Sequence, residues 1–388
     1  MMIGWLSKAC RAIVLGRTEE CGGKWSLWLT LPNSMTRAIP TLRVRYLAAF
    51  CRALKERGFD VESLLWQVGI EPVVLENPEA WLPLSQLSRF LDHVVNETGY
   101  VTLGLDAGIA PRQRHSAFSK LVLYSPTLYQ SLEAVCVNSA REDTSAKFKV
   151  VRDGSCGWLK CGSIEASPDG IRQIETYRYS ALLEIIRLAA GPDYLPSQLN
   201  LQSGGHEALS ESPLLSGIDV RYESRGLAIA FDARLFSRPV ADVPDAPMTK
   251  PEFSDAPIEF GSALIEVTRT QMLSGRPEIE HTAAALGLTA RTLQRRLNEQ
   301  DLSYAKLLQH VRIQTAQRTL EEEGTPIAEI SAKLGYRHST HFTRAFRKIC
   351  GVTPREYRRM HSQPPATSDG NDGVTLGFRE KVTELSPE

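Results

Sequence analysis

Apolar positions repeat at helical spacing in two similar stretches near the end of the chain. Leu293 and Leu297 are four residues apart in the first stretch, and Phe342 and Phe346 have the same spacing in the second. Residues four apart share one face of a helix, so each pair predicts a helix with one buried side. A short apolar segment ending in Leu-Gly precedes each helix. The pattern therefore predicts two helix pairs, each joined by a tight turn.

The two pairs are copies of one pattern. Gly287 and Gly335 lie 48 residues apart, and each is expected to end the first helix of its pair. A residue with positive φ is least costly as glycine at such a turn. Thr289 and Ser339 are predicted to cap the second helices, although the second turn is one residue longer. The repeat predicts tandem helix-turn-helix units.

The face opposite the apolar residues is polar in both second helices. It carries Arg291, Gln294 and Arg295 in the first copy, and Thr340, Thr343 and Arg344 in the second. Arginine and glutamine are the side chains that read guanine and adenine edges in the major groove. A solvated basic face is the alternative for either helix alone, but the tandem repeat favours DNA binding.

A long amphipathic stretch separates the two pairs. Between Ser303 and Glu323 the apolar residues recur at helical spacing. A helix of about 20 residues spans about 30 Å. This length is close to one turn of DNA, about 34 Å. We therefore expect the helix to hold the two units against successive major grooves.

The preceding part of the chain mixes helical and strand patterns and predicts an α+β domain. Asp153-Gly154 lies between two alternating segments and predicts a hairpin. Ser125 is predicted to cap a helix that has Pro126 in its first turn. The predicted helices are 44–58, 61–68, 84–98, 126–138 and 171–190, and the predicted strands are 147–152, 157–163, 220–222 and 227–231.

The region from about residue 258 to 360 resembles the DNA-binding domain of the AraC/XylS family of bacterial transcription regulators. The matching segments are A-A-L-G-L-T-A-R-T-L-Q-R-R-L at 284–297, I-A-E-I-S-A-K-L-G-Y at 327–336, F-T-R-A-F-R-K at 342–348 and G-V-T-P-R-E-Y-R at 351–358. The resemblance implies a seven-helix domain with both second helices in the major groove. It also implies double-stranded promoter DNA and RNA polymerase as partners.

Carried over by position, the resemblance implies which residues contact bases. They are Arg291, Gln294 and Arg295 from the first unit, and Thr340, His341 and Arg344 from the second. The chain departs from the family after Gly335, where Arg337 and His338 make the turn basic. We interpret this departure as added phosphate contact.

The earlier segments S-P-T-L at 125–128 and L-A-I-A-F-D-A-R-L-F at 227–236 resemble the arabinose-binding-like domain found in one branch of the same family. This resemblance implies a small-molecule effector and a homodimer, and it assigns no ligand residues. The predicted fold class is an α+β N-terminal effector and dimerisation domain plus an all-α C-terminal domain with two helix-turn-helix units joined by a long helix. The predicted divisions are a leader (1–34), the effector domain (35–236), a Pro-rich linker (237–257), the DNA-binding domain (258–360) and a disordered tail (361–388).

The charge distribution agrees with DNA binding by one end of the chain. The chain has 45 basic and 45 acidic residues, so its formal net charge is zero. Residues 279–360 contain 14 Lys and Arg against 8 Asp and Glu, which gives +6 and leaves −6 for the rest. A basic module beside an acidic domain suits binding of nucleic acid through that module.

Two other function classes fit the sequence less well. No G-x-S-x-G, P-loop or H-E-x-x-H motif is present, so we expect no catalysis. The alternative is a ligand-independent architectural DNA-binding protein. Bending DNA does not require a mixed α/β region of roughly 200 residues, so the presence of this region argues against the alternative. Cys156 and Cys161 lie close together on the predicted hairpin, yet no nearby His or acid completes a metal site. We expect no cofactor.

The first 34 residues fit the rest of the chain poorly. The apolar run Ala12 to Leu15 is too short for a signal core or a membrane span. Met35 precedes the first good helix, so a natural start at Met35 is one interpretation and a flexible extension is the other. Seven cysteines without C-x-x-C spacing indicate reduced thiols, as in a cytoplasmic, nucleoid-associated bacterial protein.

Overall fold

A computed structural model describes residues 39–109, 125–240, 256–257, 259–273, 275, 277–299, 301–321 and 324–361. The predicted leader (1–34), residues 241–255 of the predicted linker and residues 362–388 of the predicted tail lie outside the described residues. All structural statements below concern the described part.

The first half of the chain is mainly helical, as its apolar spacing predicts. Its helices are α1 (Val44–Glu56), α2 (Val61–Gln67), α3 (Leu84–Thr98), α4 (Leu103–Ile109), α5 (Leu128–Asn138), α6 (Pro168–Ala190) and α7 (Glu207–Ser210). Shorter 3-10 helices occur at Pro72–Glu76, Ser139–Arg141 and Ala233–Ser237. Two hydrophobic clusters form here, and α6 contributes residues to both of them.

Seven strands complete the described part of this region. Two of them, β1 (Thr41–Arg43) and β2 (Trp81–Pro83), pair antiparallel in a small ribbon that the helical pattern did not predict. The others are β3 (Phe148–Asp153), β4 (Cys156–Cys161), β5 (Gln198–Asn200), β6 (Asp219–Arg221) and β7 (Ala228–Asp232). They form one sheet in the order β3-β4-β7-β5-β6. The predicted β3–β4 hairpin is confirmed, whereas β5 was missed and separates β6 from β7.

Helices α4 and α6 pack with an unusually close separation because α4 carries glycine at two positions of one face. A Cβ on Gly104 would lie 2.2 Å from the Gln173 carbonyl oxygen, and a Cβ on Gly108 would lie 2.1 Å from Ser180 Oγ. Protein cores are too closely packed to absorb such overlaps. A side chain at either glycine would therefore force the two helices apart.

Two predicted N-caps are wrong. Thr127, not Ser125, caps α5 and accepts a hydrogen bond from the Gln130 N–H. Ser339 is the first helical residue of its helix, and the preceding His338 occupies the cap without a side-chain hydrogen bond. In both places a neighbouring residue in extended conformation takes the position where the chain enters the helix.

From Phe260 onward, helices are the only regular secondary structure among the described residues. Their helices are α8 (Phe260–Met272), α9 (Ile279–Ala285), α10 (Ala290–Asn298), α11 (Tyr304–Glu321), α12 (Ile327–Lys333), α13 (Ser339–Cys350) and α14 (Pro354–His361). They surround a third hydrophobic cluster that includes Leu293, Leu297, Phe342 and Phe346. Among the helices of the described chain, none combines the length and apolar character needed to cross a bilayer.

A buried ion pair ties α6 to the loop before the sheet. Arg178 donates to the Asp143 carboxylate at 2.5 Å, and the two side chains are only 4% and 3% exposed. Arg178 also donates to Ser145 Oγ at 2.7 Å. Each of these buried charges is stabilised by the other, because removal of one would leave an unpaired charge inside the protein.

We predict that Asp143→Asn lowers the free energy of unfolding by about 3–5 kcal/mol, the cost of breaking a buried pair from one side. Urea denaturation followed by circular dichroism measures the change. The control is Asp219→Asn, because Asp219 forms an exposed pair with Arg221 at 2.9 Å. Its loss is expected to cost less than about 1 kcal/mol. Equal losses for the two variants would contradict the prediction.

Candidate nucleic-acid interface

The turns within the two helix pairs have the same hydrogen-bonding pattern. Gly287 and Gly335 both adopt positive φ, at 68° and 75°, as the sequence predicts. In the first turn the Gly287 and Leu288 N–H groups donate to Ala284 and Ala283. The corresponding bonds of the second turn run from Gly335 to Ala332 and from Tyr336 to Ser331. Both patterns satisfy the last carbonyls of the first helix while the chain reverses.

The two turns differ in how the second helix begins. Thr289 caps α10 by accepting a hydrogen bond from the Thr292 N–H at 3.2 Å, as predicted. The second turn is one residue longer, so α13 begins four residues after its glycine and α10 begins three residues after its own. The second turn exposes Arg337 and His338 to solvent.

The second helices bury one face and leave the other open. Leu293 and Leu297 of α10 and Phe342 and Phe346 of α13 are all buried. Each of the six residues assigned to base contact is exposed: Arg291, Gln294 and Arg295 on α10, and Thr340, His341 and Arg344 on α13. Their side chains are therefore accessible to a ligand outside the domain.

The two matched arginines have different surroundings. Arg295 forms an ion pair with Glu299, one turn later on α10, with 2.6 Å between Nη1 and Oε1. Within the described residues, no carboxylate pairs with Arg344. Glu299 therefore competes with any outside ligand for the Arg295 guanidinium, whereas no carboxylate of the described chain competes for that of Arg344. The i, i+4 spacing of Arg295 and Glu299 could have revealed this pair from the sequence.

The helix between the pairs is anchored at both ends. Near its start, the Tyr304 and Thr282 hydroxyls lie 2.6 Å apart and join α11 to α9. At its other end, Tyr357 of α14 donates to the Glu321 carboxylate at 2.8 Å. Along its length, Val311 and Ala316 are fully buried. These contacts hold α11 as part of the third hydrophobic cluster.

The ribbon of the N-terminal region contacts the helical C-terminal region directly. Thr270 Oγ1 of α8 donates to the Trp81 carbonyl of β2 at 2.8 Å. Ser85 Oγ of α3 donates to the Ala285 carbonyl, the last residue of α9, at 2.9 Å. A Cβ added at Gly287 would lie 3.9 Å from the Ser85 side chain. No sequence pattern predicted these contacts, because they join residues about 200 positions apart.

Arg43 packs against Trp81, the ribbon residue that makes this contact. Its guanidinium lies over the Trp81 ring, 4.0 Å from the ring centroid. It donates to the backbone carbonyls of Glu79 and Arg141. Burial lowers the pKa of Arg43, while Glu142 and Glu79 partly oppose that shift. The hydrogen bonds and the aromatic ring thus hold a cation that has lost most of its water.

Comparisons with known proteins agree with this division of the chain. A family model described as a helix-turn-helix domain matches residues 282–360. A second model, the N-terminal arabinose-binding domain of AraC transcription regulators, matches residues 58–240. The two matches together cover about two thirds of the chain and coincide with its helical and α+β regions.

Similar proteins include several named transcription regulators. The chain is 24% identical to the HTH-type transcriptional regulator VirS of Mycobacterium tuberculosis, over 82% of this chain and 96% of the relative. It is 22% identical to the ornithine utilization regulator of Pseudomonas aeruginosa, over 81% of this chain and 95% of the relative. It is also 30% identical to GadX of Escherichia coli over 106 residues, which are 27% of this chain and 39% of that regulator.

Among solved structures, the transcriptional regulator CdpR of Pseudomonas aeruginosa aligns with 81% of this chain and 98% of its own, at 18% identity and a TM-score of 0.37. The named relatives are transcription regulators rather than enzymes. With a helix-turn-helix domain at its C-terminal end and the arabinose-binding type of domain before it, the chain belongs to the AraC family of transcription regulators.

Proposed function

We propose that the chain reads two successive major-groove segments of promoter DNA with α10 and α13. The observation that supports this most is the repetition of one turn: the same hydrogen bonds around Gly287 and Gly335 precede two helices with open polar faces. Helix α11 has 18 residues and is therefore about 27 Å long, a spacing close to one DNA turn. In this proposal Arg291, Gln294, Arg295, Thr340, His341 and Arg344 contact the bases.

The N-terminal region then acts as the controlling part. We assign it a small-molecule effector, and its contact with α8 and α9 supplies a physical route from effector to DNA. A homodimer and contact with RNA polymerase belong to the same proposal on family resemblance alone. The alternative, an architectural protein without a ligand, gives no role to the contact between Ser85 and the end of α9.

The proposal predicts different effects for specific and random DNA. Selection from a random duplex library with the full chain yields the preferred sequence, and fluorescence anisotropy then measures affinity at fixed salt. Arg344→Ala is expected to weaken specific binding by about 5- to 150-fold, because a bidentate base contact contributes about 1–3 kcal/mol. Random DNA should respond less, because it offers the arginine only phosphates.

The control for this variant is Lys333→Ala, which removes one exposed positive charge from the first helix of the same pair. It should leave sequence preference unchanged. Equal losses on both DNAs for Arg344→Ala would show that Arg344 touches phosphate only and would remove it from the proposed set.

A second prediction concerns the ion pair on α10. Glu299→Gln releases Arg295 from its partner and removes a negative charge beside the DNA. We expect specific binding to strengthen by about twofold, because an exposed i, i+4 pair is worth about 0.3–0.5 kcal/mol. Glu329→Gln is the matched control, because Glu329 pairs with Lys333 in the same i, i+4 geometry on α12. Equal strengthening by both variants would indicate general charge repulsion instead.

A third prediction tests the contact between the two regions. The double variant Ser85→Ala and Thr270→Val removes both hydrogen bonds without altering the exposed faces of α10 and α13. Each lost bond costs about 0.5–1.5 kcal/mol, so backbone amides of residues 279–299 should exchange with deuterium at least about fivefold faster. Exchange in β4 and β7 should stay unchanged, and specific DNA affinity should shift.

Ser237→Ala provides the control, because Ser237 Oγ makes an exposed local bond to the Arg234 carbonyl. If the double variant leaves both the exchange of residues 279–299 and the DNA affinity at wild-type values, the contact transmits nothing and the route proposed for effector control is wrong.

A further inference from the structure

The first helix pair leaves little of its positive charge free. Helices α9 and α10 carry three arginines between them. Arg295 forms the ion pair with Glu299, and the Arg296 guanidinium lies over the Phe260 ring, 5.1 Å from its centroid. Of the three, only Arg291 is exposed without a carboxylate or aromatic partner among the described residues. The first unit therefore offers one free cation to DNA.

The whole excess of positive charge in the helical region lies in the second pair and α14. Residues 279–360 have a net charge of +6, from 14 basic and 8 acidic residues. Residues 327–360 hold 8 of these basic residues and only 2 of the acidic ones, which already gives +6. Residues 279–326 are therefore neutral overall, with 6 basic and 6 acidic residues. The two units differ in charge although they share one turn geometry.

Most cations of the second pair and α14 are exposed. Lys333 pairs with Glu329, and Arg358 donates to the Thr325 carbonyl. Within the described part of the chain, no carboxylate forms an ion pair with the other six, and all six are exposed: Arg337, Arg344, Arg347, Lys348, Arg355 and Arg359. Like charges held close together repel one another, and an outside anion relieves that repulsion.

Helix α14 packs beside the C-terminal half of α13. Phe346 of α13 and Tyr357 of α14 meet edge to face, with 5.4 Å between ring centroids, and both are buried. Arg347 and Lys348 follow Arg344 by three and four residues, so they continue the outward stripe of α13. The stripe proposed for base contact therefore ends in two exposed cations next to α14.

The exposed side of α14 carries two further cations. Arg355 and Arg359 are four residues apart and therefore lie on one face of the helix. Glu356 follows Arg355, and hydrogen bonds from Thr353 lower the pKa of Glu356, with smaller contributions from the Arg347 and Arg359 charges. One cation of α13 and one of α14 thus act on the same carboxylate, in agreement with the packing of the two helices.

Contacts with other helices fix the orientation of α14. The Tyr357 hydroxyl donates to the Glu321 carboxylate at the end of α11, at 2.8 Å. Arg358 donates to the Thr325 carbonyl just before α12, and the His361 ring stacks on that of Tyr357 at 4.2 Å. The exposed cations of α14 are therefore presented by a helix that is held on its opposite side.

We infer that the cations at the end of α13 and on α14 bind the phosphates of the duplex that α13 reads. They are Arg347, Lys348, Arg355 and Arg359. The duplex backbone fits this surface because it is a row of negative charges, and the four cations adjoin the base-reading stripe. Lysine and arginine bind phosphates without reading sequence.

The two units then contribute differently to binding. The second unit with α14 anchors the protein on the DNA backbone and supplies most of the salt-dependent affinity. The first unit, which has one free cation, contributes mainly base discrimination. This inference rests on the proposed binding of DNA by α13.

Salt dependence tests the inference, because each lost phosphate contact reduces the slope of log affinity against log salt concentration by about 0.9 in magnitude. Fluorescence anisotropy of the full chain compares the selected duplex with a random duplex between about 50 and 200 mM NaCl. The double variants Arg347→Gln/Lys348→Gln and Arg355→Gln/Arg359→Gln should each reduce the slope by about 2. Each should weaken binding to both duplexes by at least about fivefold and leave the ratio of the two affinities within about twofold of the wild-type value.

Three other variants serve as controls. Lys147→Gln/Lys149→Gln removes two exposed charges from the N-terminal region and should match the wild type in slope and affinity. Arg347→Lys/Arg355→Lys retains the charges and should keep the wild-type slope, because lysine binds phosphate as a point charge. Arg291→Gln in the first unit should lower the ratio of specific to random affinity and change the slope by less than about 1.

Several results would overturn the phosphate surface. One is a wild-type slope in both glutamine variants, and another is an equal fall of the slope in the N-terminal control. A loss confined to the selected duplex would assign the four residues to base contact instead. A reduced slope in the charge-retaining lysine variant would show that charge is not the cause. Glutamine at these exposed positions should leave the melting temperature unchanged, which circular dichroism checks.

The outcomes also separate this inference from the proposed sequence reading. If Arg344→Ala lowers specific affinity as predicted but the glutamine variants keep the wild-type slope, base reading stands and the phosphate surface is wrong. If the full chain shows no sequence preference but the glutamine variants reduce the slope, the phosphate surface stands and sequence reading is wrong.

Discussion

The close approach of α4 to α6 sets the geometry of the N-terminal region. Gly104 and Gly108 let α4 lie against the backbone of α6, where any Cβ would overlap its atoms. Helix α6 then contributes to two hydrophobic clusters, one with α1 and one with the sheet. Tyr177 and Arg178 are neighbours on α6. The Tyr177 ring packs against Tyr46 and Phe50 of α1, and Arg178 pairs with Asp143 before the sheet. The close packing of α4 on α6 therefore positions the residues of α6 that join the two hydrophobic clusters and the buried ion pair.

The helical region is organised differently, because its geometry depends on turns between helices that are adjacent in the sequence. Each helix pair must end one helix and begin another within a few residues, and glycine with positive φ makes this possible. The inward Leu and Phe residues then fix the rotation of α10 and α13, so the polar residues between them face outward. At the start of α14, Thr353 and Glu356 form reciprocal hydrogen bonds. The Thr353 N–H and hydroxyl both donate to the Glu356 carboxylate, and these two bonds lower the pKa of Glu356.

This difference explains which structural features could be predicted from the sequence. Turns, caps and helix faces depend on residues a few positions apart, so Gly287, Gly335 and the Thr289 cap were predictable. The ribbon β1–β2 was not, because its three-residue strands join segments about 40 positions apart and carry no alternating pattern. The bond from Ser85 to Ala285 was equally unpredictable, because it joins residues 200 positions apart that meet only in the folded chain.

The additional residue in the second turn has a consequence for orientation. The two polar faces follow turns of unequal length and differ in composition, so one chain presents two unlike surfaces in a fixed order. If a DNA duplex is bound through both surfaces, turning the protein end for end on the duplex would place each surface on the segment that the other one contacted. Such a protein has polarity on DNA, and a single protomer can mark which side of its binding site is upstream.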